Sequence, residues 1–418
     1  MPVELLIRPG REDHLVVADL IAPGGAGRSF GARPPVSRLV LDAPLAVSRP
    51  QFAEDARAAG LPVAIDPLTF LLQGETDPDH GWTRLPFATA GAVTPAQLAD
   101  HGLRRHLVSL TVDFQIEHGA TVIVPPYFYA GGPTDPWFDV SLTCLTDTAA
   151  YLRHLDARLP LSPVLTGRLD RFARPAHWAA GIDRFAGTAM AAGAQIVATQ
   201  LGPAGKPKDN YAKVLHLFQA AQRLRRPGLA VHAWRQGAYG PALVAAGLQG
   251  YETGISVGES TDLAAAARSR RPAPPPEPDQ EDKAQGGGGG AVFLAPLGRS
   301  VPRRVVDALH ANLATRALIV CDDATVCCPN GMSSTLGAGR RAHAVRSRAR
   351  YLAAIDRMPA HPAWRLHKVA QDALAGAHLI NVANGVLTGS GLPPLSSTSL
   401  ESLAAAAKYL RGQGTAVA

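Results

Sequence analysis

The sequence predicts an α/β protein, a (β/α)8 barrel of the TIM type with a small N-terminal β-rich extension and C-terminal helices. Three observations carry this prediction. Short apolar runs alternate with Ala-, Leu- and Arg-rich segments of helical period along most of the 418 residues. Eight or nine such alternations suit a closed barrel better than an open doubly wound sheet. The composition, 46% hydrophobic and 18% charged, is that of a folded globular chain.

Taken in order, residues 1–35 read as the extension, 36–325 as the barrel and 326–418 as a helical region. Candidate strands are Leu39–Leu41, Val63–Ile65, Thr121–Val124, Pro163–Thr166, Gln195–Thr199, Leu229–Ala233, Glu252–Ser256, Val292–Ala295 and Leu318–Val320. Helical segments such as Thr94–His101, Asp147–Leu155, Tyr211–Leu224 and Pro302–Ala314 separate them. Nine strands for eight places leave one surplus. Residues 270–291 break the alternation: Pro272, Pro274, Pro275, Pro276 and Pro278 precede acids and then Gly286–Gly290. A stiff piece followed by a flexible one is an insertion, and its place after a helix puts it on the barrel's N-terminal face. Near the C-terminus Ala342, Val345, Ala349 and Leu352 form an apolar stripe, which leaves His343 on the opposite, polar face. A second stripe runs through Leu366, Val369, Ala373 and Ala377.

The net charge of +7 is unevenly placed: from Arg299 to Lys368 twelve cations face four acids. A basic third on a neutral body suits a polyanionic partner, and it equally suits a solvated Arg-rich helix face. Cys144, Cys321, Cys327 and Cys328 are too closely spaced for a disulfide framework. Arg8, Arg11, Glu12 and Asp13 interrupt the N-terminus before a signal-peptide core can form, and no run is apolar enough to span a membrane. A reducing, cytoplasmic setting is expected.

Barrel enzymes place their chemistry at the C-terminal ends of strands. Those ends hold Asp42, Asp66, Tyr127, Thr166, Arg168, Gln200, Gln236, Gly237, Gly254, Ser256, Arg299, Asp322 and Asp323. Carboxylates in such a ring suit acid–base work or nucleophilic attack at a sugar carbon. Asp-Pro and Asp-Ala-Pro after a strand are also ordinary turn formers. Cys321, Cys327, Cys328 and His343 are the residue types that hold tetrahedral zinc, with His367 a rival fourth ligand.

One ordered series goes further. Gln236-Gly237 is followed by Gly250-Tyr251, Gly254-Ile255-Ser256-Val257-Gly258-Glu259, Leu294–Gly298, Ile319–Asp323 and then Cys327-Cys328. This order resembles the base-binding half of the tRNA-guanine transglycosylase superfamily, over roughly Leu229 to His367, and looks most like its branch acting on DNA. The resemblance implies exchange of guanine for a 7-deazaguanine base in nucleic acid, DNA or tRNA, through a covalent sugar–aspartate intermediate. It implies Asp322 or Asp323 as nucleophile, with Asp66 and then Asp42 as the substitute second acid, because the family's Asp-Ser-Gly-Gly-Phe-Gln segment is absent. Gln236, Gly237, Tyr251, Gly254 and Ser256 would contact the base, and Glu259 would hold the loop. A structural zinc and a homodimer are compatible with it. Two other classes stand beside it: a metal-dependent barrel hydrolase or lyase using the strand-end aspartates, and a non-catalytic nucleic-acid-binding relative.

Overall fold

The computed structural model describes residues 3–22, 36–89, 91–255, 259–268, 290–325, 327–337 and 339–414. Seven parallel strands form one sheet: β1 (Glu4–Arg8), β2 (Arg38–Asp42), β3 (Val63–Asp66), β4 (Val164–Arg168), β5 (Ile196–Gly202), β6 (Ala230–Ala233) and β7 (Gly250–Gly254). Their order is β3-β2-β1-β7-β6-β5-β4. The first strand thus pairs with the last, Leu6 opposite Glu252 and Arg8 opposite Gly254. The two remaining edges are joined by Val122 and Ile123, which bridge in parallel to Ala64 and to Leu161. The ring closes as an eight-position barrel.

A helix follows each position. These are α1 (His14–Ile21), α2 (Gln51–Ala58), α3 (His101–Glu117), α4 (Pro136–His154), α5 (Arg184–Ala191), α6 (Tyr211–Leu224), α7 (Gly240–Ala245) and α8 (Leu263–Arg268). The sequence sets the ends of several. Asp100, Asp135 and Asn210 cap α3, α4 and α6 by accepting backbone N–H bonds. Gly240 opens α7 directly on the Tyr251 ring, where an added Cβ would overlap ring atoms, so only glycine lets helix and strand approach so closely.

Beyond the barrel lies an antiparallel hairpin, β8 (Val292–Leu294) and β9 (Arg299–Val301). Six helices follow: α9 (Arg303–Ala311), α10 (Leu313–Ile319), a short one over Met332–Leu336, α11 (Arg340–Asp356), α12 (Pro362–Gly389) and α13 (Thr398–Gly414). Val292, Leu294, Val305, Leu309, Ile319, Ile380 and Leu387 form an apolar core of this part's own, separate from the barrel's.

The barrel agrees with the sequence reading, and its strand assignment differs in three places. Glu4–Arg8, expected in the extension, is a central barrel strand. Val292–Ala295 contributes to the hairpin outside the barrel, and Leu318–Val320 closes α10. The surplus of strands disappears because two of the nine candidates lie elsewhere. Most of the insertion expected over 270–291 lies outside the described residues, as does Ser256.

The barrel's N-terminal end is polar inside. Arg38 is paired with Glu4, and His232, fully buried, has its Nε2 3.5 Å from Glu4 but neither ring nitrogen hydrogen-bonded. Burial, then the charge of Arg38, hold the His232 pKa well below the ordinary histidine value. The folded ring therefore stays neutral where an unfolded histidine would take a proton. Stability should fall as pH drops below about 6.5, by up to about 1.4 kcal/mol per pH unit for this one group. Urea unfolding at pH 7.5 and 5.5 should show that loss, and His232→Gln should reduce it.

Candidate functional site at the barrel mouth and a metal-ligand cluster beside it

At the C-terminal end of the strands one cation joins three carboxylates. Arg8 closes β1 and is 7% exposed. Its Nε and one terminal nitrogen donate to Glu252 at 3.1 and 2.9 Å. Its other terminal nitrogen donates to Asp66 at 2.8 Å and to Asp42. Register explains the meeting, because Asp42 lies beside Asp66 and Leu6 beside Glu252 in parallel strands, and alternate residues of each strand share a face. Burial alone would lower the Arg8 pKa, but Glu252, Asp42 and Asp66 together raise it well above its ordinary value.

The surroundings complete the ring. Tyr127 Oη donates to Asp66 at 2.8 Å, and burial followed by that carboxylate pushes the phenol pKa well up, so the proton stays on Tyr127. Asp66, fully buried, also accepts the Leu68 N–H at 3.0 Å. Arg8 lies over the Trp234 ring at 5.2 Å. Arg235 donates to Asp42 at 3.2 Å and adopts φ +52°, a left-handed conformation that arginine rarely takes. Its carbonyl is held by Thr261 Oγ1 at 2.7 Å. Asp42 is the most open of the three acids, with 27% of its side chain exposed against none for Asp66 and Glu252.

Beside this network lie buried polar atoms without hydrogen-bond partners among the described residues: Thr166 Oγ1, both amide atoms of Gln200, Trp234 Nε1 and Arg235 Nε. Thr166 and Gln200 are register neighbours on β4 and β5. Sequence reading singled out Asp42, Asp66, Thr166 and Gln200 as strand ends. It missed Arg8 and Glu252, the charged ends of the apolar runs Leu5–Ile7 and Gly250–Glu252, which were the available signal.

The residues expected to contact a base are used differently. Gln236 is fully buried; its amide donates to Leu201 O at 3.3 Å and Thr261 at 3.1 Å. Gly237 packs where a Cβ would overlap Thr253 Oγ1. Tyr251 is buried behind α7, and the Gly254 carbonyl accepts from Arg348 at 3.4 Å. Glu259 binds Ser300 through N at 2.8 Å and Oγ at 2.7 Å and pairs with Arg348, joining the loop after β7 to β9 and α11.

Asp322 and Asp323 follow α10, outside the barrel. Asp322 is 83% exposed and Asp323 lies 3.1 Å from Arg350, which pairs with both. They do not stand at a barrel strand end as Asp66 does, because Leu318–Val320 is not a barrel strand.

Cys321, Cys327, Cys328 and His343 do come together, all buried, with their ligand atoms within 4.8 Å of one another. Tetrahedral zinc with bonds of about 2.3 Å needs ligand atoms about 3.8 Å apart, a small adjustment. His343 Nδ1 lies 3.4 Å from Cys327 Sγ and 3.2 Å from Cys328 Sγ, while its Nε2 lies 3.1 Å from the Phe293 carbonyl. A proton on Nε2, donated to that carbonyl, leaves Nδ1 free to face the thiols. His343 is therefore buried in the cluster and not on a solvated face; its rival His367 lies against Arg411. Hydrogen bonds from Cys327 and Cys328 hold the Cys321 pKa far below the thiol range, and Cys321 and Cys328 push Cys327 far above it. Burial opposes protonation of His343, but Cys321 and Cys328 bring its pKa up to about 9. Such a set holds protons that a soft divalent cation would displace. These four residues fit a metal ion.

No protein-family model and no curated protein matches the chain. Among solved structures, one from Burkholderia cenocepacia J2315 described provisionally as a lyase/mutase is 16% identical, covering 64% of this chain and 81% of that one, with a TM-score of 0.33. Another from the same organism, described provisionally as a phosphonomutase, is 14% identical, with coverages of 60% and 86% and a TM-score of 0.33. The transglycosylase resemblance is corrected accordingly. Neither of these two is described as a transglycosylase, and both nucleophile positions it implied stand outside the barrel. The pentosyltransferase activity and the 7-deazaguanine substrate fall with it. No helix among the described residues is long and apolar enough to cross a membrane.

The Arg8 network predicts a sharp asymmetry on mutation. Glu252→Ala removes the two-pronged partner of a buried cation and should cost about 3–5 kcal/mol. Asp42→Asn, at the open edge, should cost about 1 kcal/mol or less. Chemical denaturation of the two variants measures both.

Proposed function

We propose that this chain is a barrel enzyme of lyase or hydrolase type that moves a proton on a small anionic substrate at the barrel mouth. The observation that carries the reading is the Arg8-centred network at the strand ends, bordered by the unpartnered Thr166, Gln200, Trp234 and Arg235 atoms. Asp42 is the partly open carboxylate and acts as the proton acceptor. Arg235, with its Nε–H unpaired and its backbone held in a left-handed conformation, presents a cation to a substrate carboxylate or phosphate. Arg8 positions Asp42, Asp66 and Glu252 by pairing with all three.

We assign the metal at Cys321, Cys327, Cys328 and His343 as zinc in a structural role, since soft thiolates and an imidazole in a closed set of four favour it. Zinc there would tie the loop after α10 to α11 and to the β8 carbonyl that His343 reaches.

Two measurements check these assignments. The protein should catalyse deuterium incorporation or elimination on some member of a panel of 2-hydroxy-, 2-oxo- and phospho-carboxylic acids in heavy water, followed by proton NMR. Asp42→Asn should lower that rate by about 10²–10⁴-fold, and Cys328→Ser should leave the chemistry in place on whatever protein remains folded. Absence of exchange and turnover across the panel, or an unchanged rate in Asp42→Asn, would sink the reading. Elemental analysis should find about one zinc per chain, lost in Cys328→Ser together with a lower melting temperature.

A further inference from the structure

A cavity of about 690 Å³ lies beside the barrel, between the loop after β6, α7, the turn after β8, α11 and α12. Its volume is in the range of small-molecule sites, about 300–1,000 Å³. Leu297, Val369 and Leu379 give it an apolar floor, and its charged lining is four cations, Arg348, Arg350, Arg357 and Lys368, against two acids, Asp322 and Asp372.

We propose that this cavity binds a small amphipathic organic anion, an apolar tail ending in a carboxylate. Arg357 has no carboxylate within ion-pair distance among the described residues. Lys368 has a partner, but Asp372 is 40% exposed. Exposed pairs of that kind are worth about 0–1 kcal/mol, so an incoming carboxylate can take over this cation at little cost. Arg350 is held by both Asp322 and Asp323, the latter 17% exposed. Deeper in, Arg348 lies 4.1 Å from the centre of the Phe293 ring, which also lines the cavity, and its buried Nε has no partner. The site thus offers open cations at its rim and an unpaired donor above an apolar floor, the complement of a tail with one anionic end.

Titration calorimetry of the full-length, zinc-replete protein tests this with three probes of equal tail length: decanoate, 1-decanol and decylammonium. Decanoate should bind one per chain and more tightly than decanol, and decylammonium should not bind. The double variant Arg357→Ala/Lys368→Ala should weaken decanoate by about tenfold or more, the loss of one charge-assisted contact, and leave decanol unchanged. Ala354→Trp, which fills the cavity and keeps its charges, should abolish decanoate binding. Should Ala354→Trp fail to melt cooperatively, the charge reversal Arg357→Glu/Lys368→Glu at the rim serves instead and should also abolish it. The proposal is overturned if decanoate does not bind saturably, if the three probes bind alike, or if decanoate binds the filled or charge-reversed variant as it binds the parent.

Discussion

Arg8 is the residue on which the barrel and its mouth both depend. Its guanidinium engages Glu252 on β7, Asp42 on β2 and Asp66 on β3 from a position on β1. Four consecutive positions of a closed ring are thereby fixed at one level. Desolvating a lone guanidinium costs several kcal/mol, and three ionised carboxylates at neighbouring strand ends would repel one another. Neither half of the network is tolerable without the other. The side-chain network therefore reinforces the backbone register that closes β1 on β7.

The C-terminal helices are held by a similar logic of paired charge. Along α11, Arg341 reaches Glu12 and Asp13, Arg346 reaches Asp19, Arg348 reaches Glu259 and Arg350 reaches Asp322 and Asp323. Several of these acids belong to the barrel half of the chain, so the charge asymmetry evident in the sequence works as an internal clamp. Glu259 has a double role, because the same carboxylate that meets Arg348 also fixes the start of β9 through Ser300. The cysteine–histidine set adds a short-range tie near the N-terminal end of the same helix, through His343.

Much of the architecture was legible because buried parallel strands read as short apolar runs, and seven of the nine candidates meet in the barrel. Two of the errors have one physical cause. A run of three or four apolar residues cannot by itself separate a strand from the buried end of a helix or an accessory hairpin. Leu318–Val320 and Val292–Ala295 were of that kind. Glu4–Arg8 was passed over for the opposite reason, since charged residues, Glu4 and Arg8, flank its apolar centre. The four metal-ligating residues were found by type. The side of α11 on which His343 lies was not, because its stripe analysis assumed one buried face, and this helix buries His343, Arg346, Ser347 and Arg348 as well.

The motif order that drew attention to Gln236, Gly237 and Tyr251 has a packing explanation. Gln236 ties β5 to Thr261, and Gly237 and Gly240 allow Thr253 and Tyr251 to approach. Glycine and glutamine at these positions would be required in a barrel of any function. The same cannot be said of Thr166, Gln200 and Trp234. A buried polar atom left without a partner costs about 1–3 kcal/mol, and apolar side chains of similar volume would avoid that cost. Thr166 and Gln200 are register neighbours, and the Trp234 ring lies 5.2 Å from Arg8. Stability alone gives no reason to keep them. Their hydrogen-bonding capacity is completed only by something that enters the mouth, an ordered water or a ligand with polar groups of its own.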